Sequence, residues 1–168
     1  MKKTLPILLL LAACGRDDPA ADNRAAPGSA GPAASKPGPS SSAPAGRLTG
    51  LYESGSGDQK NQMCIVETGK DAEFGLIVWG ANMHSCSGAG RAVRKGERLT
   101  LTMTGDETCT IDATLKDGNV ALPESLALGC AYYCGARASL AGARFTRAGS
   151  SEAEAKKAKD IAGDPLCE

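Results

Sequence analysis

Aromatic residues are scarce in this chain, 4% of its 168 positions, and histidine occurs once, at position 84. One imidazole cannot build a multi-histidine metal centre and supplies a single ready base for nucleophilic catalysis. No serine sits in a Gly-x-Ser-x-Gly elbow. Charge of one sign is missing as well: nineteen Lys and Arg offset nineteen Asp and Glu. With no strong field to attract phosphates, a nucleic-acid partner is not expected. Cysteines with zinc-site spacing are also lacking, since only Cys130 and Cys134 lie close together. Neither a metal nor a cofactor is expected. There is no long hydrophobic run either: residues 5–13 are apolar apart from Pro6, too short to span a bilayer.

What is present begins with that short run. Lys2 and Lys3 precede it, as in a secretory leader. Leu11-Ala12-Ala13-Cys14 resembles the lipobox of bacterial lipoproteins. The resemblance implies that residues 1–13 are a signal peptide and that Cys14 becomes the lipidated first residue. Several acyl chains on one cysteine hold a protein stably on a membrane, where a single chain does not. Gly15 follows Cys14. Lipoproteins retained in the inner membrane resemble one another in carrying Asp there, so Gly15 implies an outer-membrane protein facing the periplasm.

Residues 14–46 hold six prolines among Ala, Gly and Ser with no apolar periodicity, the composition of a disordered tether. Residues 47–168 remain as one domain, with the six cysteines Cys64, Cys86, Cys109, Cys130, Cys134 and Cys167. An even set in an exported domain reads as three disulfides. Fifteen pairings are open; Cys64 with Cys86, Cys109 with Cys130 and Cys134 with Cys167 is taken as the working one.

The domain reads as mainly β. Leu99, Leu101 and Met103 alternate with threonines, as do Cys109, Ile111, Ala113 and Leu115 with Thr110, Asp112 and Thr114. Asp117-Gly118 is a hairpin turn before Val120 and Leu122, and Lys95-Gly96 another. Residues 74–79 read as a more fully buried strand, and 48–53, 62–67 and 143–147 as further strands. Short strands joined by Gly-containing turns predict an antiparallel meander closing as a lipocalin-like barrel, with Tyr52 in the first strand meeting the last near Phe145. A two-sheet sandwich is the alternative. Ser151-Glu152-Ala153-Glu154 matches a capping box, predicting a C-terminal helix over about 151–162 with a stripe of Ala155, Ala158, Ile161 and Ala162. Cys167 is expected to tie it down.

Cys130-Ala131-Tyr132-Tyr133-Cys134-Gly135, residues 138–142 and the ending Gly163-Asp164-Pro165-Leu166-Cys167 look like segments of uncharacterised small exported bacterial proteins. Ala136 stands where that pattern has proline. The resemblance implies no activity, and no catalytic constellation is visible, so a non-catalytic envelope lipoprotein is expected, a binding or structural module of unknown ligand with an envelope protein as the candidate partner. By analogy with small disulfide-bonded inhibitors, lysozyme is an alternative partner; Ser87-Gly88 and Lys95-Gly96 faintly resemble loop motifs of one such family. Copper is a second alternative, through Met83 and His84 with Met63 and Met103. Residues 80–87 read as the longest inter-strand loop. Trp79, Asn82, Met83 and His84, with Arg91, Arg94, Lys95 and Arg98 of the neighbouring hairpin, are the candidate partner-binding residues.

Overall fold

A computed structural model of the protein describes residues 46–168. The leader, Cys14 and residues 15–45 lie outside the described residues. Eight strands follow one another: β1 (Gly50–Ser54), β2 (Asn61–Thr68), β3 (Asp71–Trp79), β4 (Ser85–Lys95), β5 (Arg98–Met103), β6 (Thr110–Lys116), β7 (Asn119–Ala121) and β8 (Arg144–Gly149). Each pairs antiparallel with the next, and β8 returns to β1, so the sheet is a closed barrel and the two-sheet sandwich is ruled out. Tyr52 faces Arg147 across the closing seam, two residues from Phe145.

The alternation read in the sequence sorts side chains between the barrel axis and solvent. Tyr52, Met63, Phe74, Leu76, Leu99, Leu101, Met103, Ile111 and Phe145 are all buried and fill the interior. Three of the few aromatic residues, Tyr52, Phe74 and Phe145, are spent on this interior. Asp117 and Gly118 both take positive φ, +50° and +77°, the conformation that matches the twist of the strands they join.

A second, smaller cluster lies on the outer wall. Leu51, Cys64 and Val66 face outward there and are covered by Ala155, Ala158, Leu166 and Cys167. This is why β2 shows four consecutive buried residues instead of alternating. The covering segment is helical only at α1 (Glu152–Ala155), a single turn closed by the Ser151–Glu154 capping box. Glu152 and Lys156, four residues apart, form an ion pair at 2.9 Å. The helix does not continue to residue 162: the N–H groups of Lys157 and Ala158 turn to carbonyls three residues back, Lys159 N–H donates to the Gln62 side chain, and the Asp160 carboxylate then accepts from the N–H groups of Ala162 and Asp164 and bends the chain back. Ile161, placed on the apolar stripe by periodicity, is consequently 69% exposed.

Three disulfides are present, Cys64–Cys167, Cys86–Cys134 and Cys109–Cys130. Only the third agrees with the working pairing. Cys64 and Cys86 cannot join each other, because β3 separates their strands and Cys64 points to the outer wall while Cys86 points to the barrel axis. Cys134 is likewise not the partner of Cys167. Cys167 does tie down the tail, through Cys64.

The meander gives the barrel two unlike ends. At the turn end, two-residue turns join β2 to β3, β4 to β5 and β6 to β7. At the lid end lie the longer connections, among them residues 122–143 between β7 and β8. A strap, residues 46–49, closes the turn end. The Tyr52 hydroxyl donates to the Leu48 carbonyl at 2.7 Å, and Leu48 is buried. The Arg147 guanidinium lies 4.7 Å from the centre of the Tyr52 ring. It donates to the Thr49 carbonyl at 3.1 Å, to the Arg47 carbonyl at 2.6 Å and to the Tyr52 hydroxyl oxygen. Arg94 holds the Gly46 carbonyl at 2.9 Å. Glu67 accepts from the N–H and hydroxyl of Thr49.

Candidate binding surface at the lid end

Residues 122–143 carry no strand period, and the structure uses them as a cover. The segment leaves and re-enters the sheet through Leu122 N–H donating to Ala143 O and Gly142 N–H to Pro123 O. Between these points a 3-10 stretch, Leu128–Tyr133, crosses the barrel mouth. Leu140 is buried among the core residues, and Tyr133 packs over Gly88 of β4, where a Cβ would come within 2.9 Å of its ring. The Tyr133 hydroxyl oxygen accepts from the Asp106 N–H in the β5–β6 connection. Two disulfides then fix the cover: Cys130 to Cys109 at the start of β6, and Cys134 to Cys86 in β4. Backbone bonds from Gly135 N–H to Ser85 O and from Ala81 N–H to Arg137 O close its other edge. Gly80 is required there, because a Cβ would lie 2.2 Å from the Arg137 carbonyl oxygen.

This cover, the lid, hides the core and displays an apolar outer surface. Leu128 is 95% exposed, Tyr132 76%, and Met83, on the neighbouring β3–β4 connection, 74%. A groove of about 380 Å³ on the lid is lined by Leu126, Leu128, Ala131, Ala136, Ala138 and Ala141. Ala138 adjoins Gly80, so the groove leads toward the loop that carries Met83. Asn82 and Met83 both hold left-handed backbone, φ +55° and +62°, which costs free energy at non-glycine positions and turns Met83 outward. The lid segment contains one acid and one base, Glu124 and Arg137. Beside it, the hydroxyl and N–H of Thr108 bond to the Asp106 carboxylate and hold it below the usual carboxylate range.

The candidate residues read from the sequence divide between the two ends. Trp79 closes β3 half-buried on the outer wall, its N–H donating to Asn61. Asn82 is exposed, and His84 is half-buried next to Gly135 of the lid. Arg91 lies exposed midway along β4, Arg94 enters the strap, and Lys95 and Arg98 flank the turn at the opposite end. At about 3.3 Å per residue, β4 carries Lys95 roughly 30 Å from Ser85. The loop and the basic hairpin are therefore not brought together. Ser87 and Gly88 lie within β4 rather than in a loop, so the inter-strand loop is residues 80–84, and 122–143 is the longer connection.

Cys86, two residues from His84, is in a disulfide and has no thiol to activate. Among the described residues no group of three His, Cys, Asp or Glu gathers as metal ligands. Met63 and Met103 are fully buried in the barrel, apart from the exposed Met83. Leu128 and Tyr132 were missed by sequence reading. The signal available was a stretch of 22 residues with neither period two nor period 3.6, carrying two cysteines. In comparisons with known proteins the chain matches no protein-family model, no curated protein and no solved structure.

Proposed function

We infer that the chain is a non-catalytic lipoprotein of the bacterial cell envelope, anchored through Cys14 in the outer membrane on the periplasmic side, which binds a protein partner through its lid end. The observation that carries the reading is the contrast between interior and lid. Large apolar side chains fill the barrel interior, whereas Leu128 and Tyr132 stand exposed on a lid fixed by two disulfides and Met83 on the loop beside it. Exposed large apolar residues grouped on one rigid face favour a macromolecular partner. Disulfides that already hold the lid reduce the ordering entropy lost on association.

Two measurements test this. Cys14→Ala should shift the protein from the membrane pellet to the soluble fraction after a high-salt wash; a variant that still pelleted would sink the lipid anchor. Cross-linking in intact cells should capture a recurrent protein, and purified domain lacking Met83, Leu128 and Tyr132 side chains beyond Cβ should bind it more weakly by more than about 1 kcal/mol per anchor. Unchanged affinity in that variant would remove the lid end as the contact surface. Inhibition of lysozyme by the purified domain would make lysozyme the partner in place of an envelope protein.

A further inference from the structure

We propose that the turn end of the barrel is a docking face for an anionic phospholipid surface, so that the protein stands turn end down on its membrane with the lid held outward. Two independent observations meet at that end. The first is charge. Arg47 of the strap, Lys70 of the β2–β3 turn, Lys95 and Arg98 on either side of the β4–β5 turn and Lys116 beside the β6–β7 turn are all exposed. None of them belongs to an ion pair among the described residues. With Arg94 and Arg147, seven cations face Glu67, Asp71, Glu97 and Asp117 at this end, and the segment after β8 adds Glu152 and Glu154 against Lys156 and Lys157; Glu67 is engaged by Thr49, Glu152 by Lys156 and Glu154 by Ser150 and Ser151, so the balance stays cationic. The lid-end loops run the other way: Asp58, Asp106, Glu107 and Glu124 outnumber Lys60 and Arg137. A chain with no net charge is thus polarised along its barrel axis.

The second observation is where the chain enters. Residues 1–45 join the barrel at Gly46, whose carbonyl Arg94 holds, and the next carbonyl is held by Arg147. An anchor on Cys14 therefore draws on the cationic end, which is where an anionic surface would meet it. The cations come from four separate segments arranged around a filled and strapped mouth, with Leu48 buried beneath. Such a collar suits many mobile phosphates in a plane better than a single anion in a pocket. Near an anionic leaflet each Lys or Arg is worth about fivefold in binding, and the effect fades within about 10 Å in physiological salt.

The membrane on which the barrel stands comes from the lipoprotein reading, but the test does not depend on lipid at Cys14. Among the described residues, 46–168 hold a closed barrel with its own filled core and three disulfides, so that segment can be assayed without leader or anchor. Its co-sedimentation would be measured with neutral phosphatidylcholine vesicles and with vesicles containing about one-third phosphatidylglycerol. Binding should be confined to the anionic vesicles, be reversed by high salt, and fall by more than about a hundredfold when Lys70, Lys95 and Arg98 are all replaced by Glu. Replacement of the same three by Gln covers the case in which reversal unfolds the barrel, and should also weaken binding strongly. Equal binding to both vesicle types, no binding to either, or unchanged binding in the Gln variant would overturn the proposal. Such failure would leave the Cys14→Ala fractionation result standing, and a failed fractionation would leave the vesicle result standing.

Discussion

Replacing Cys64 and Cys167 together by alanine should lower the folding stability of the oxidised domain by about 4 to 5 kcal/mol. The bridge spans 103 residues, the longest separation of the three, and so restricts the unfolded chain most. It is also the covalent hold on the tail that covers Leu51, Cys64 and Val66. The tail has little else to hold it: one helical turn, the small side chains of Ala155 and Ala158, and a few backbone bonds such as Leu166 N–H to Ala158 O. Chemical denaturation of the double variant against the parent would measure the loss. Hydrogen exchange should rise in residues 155–167 and stay unchanged in the lid, which keeps its own two disulfides. A loss under about 1 kcal/mol, or equal protection of the tail, would show that packing rather than the bridge holds it.

Arg147→Met should cost about 3 kcal/mol through a different mechanism. One guanidinium stacks on Tyr52 and donates to two strap carbonyls and the tyrosine oxygen, and methionine keeps the apolar stem but none of the donors. Arg147→Lys should recover only part of the loss, because a single ammonium cannot span three acceptors in a plane. The same cluster sets an alkaline limit. Burial pushes the Tyr52 hydroxyl up to about 12, although the Arg147 and Arg94 charges pull it down. Since the unfolded chain ionises this phenol near 10, it releases the proton first as pH rises. The stabilisation is complete below about pH 10 and disappears between about 10 and 12, amounting to roughly 2 to 3 kcal/mol. Ultraviolet titration should find the Tyr52 phenol ionising late in the folded protein and normally in denaturant. Stability that did not fall over this interval would show that Tyr52 is not held as described.

Thr100, Thr102 and the alternating run from Cys109 to Leu115 announced strands without help from the rest of the chain, because period two is a property of neighbours along one segment. Asp117-Gly118 announced its hairpin for the same reason: the backbone it requires, positive φ at both residues, is favourable for few other pairs. The capping box at Ser151 was equally local. Closure through Tyr52 and the last strand followed from counting strands that need both edges covered. The length of α1 was misread because Ala155, Ala158 and Ile161 keep helical spacing, whereas the Asp160 side chain offers the backbone a competing partner that spacing does not register.

The amino-acid sequence by itself thus determined most of the strands, the turns at Lys95-Gly96 and Asp117-Gly118, and the alternation that turns Leu99, Leu101, Met103, Ile111 and Leu115 inward. Only the tertiary structure decided which cysteines meet, what residues 122–143 cover, and that the loop with Met83 and the basic hairpin with Lys95 lie at opposite ends of the barrel. The physical reason is one of range. Strand period and turn conformation are set by interactions within a few residues. Cys64 finds Cys167, and Arg147 finds the strap, only after the closed sheet has assigned each side chain a face and each loop an end.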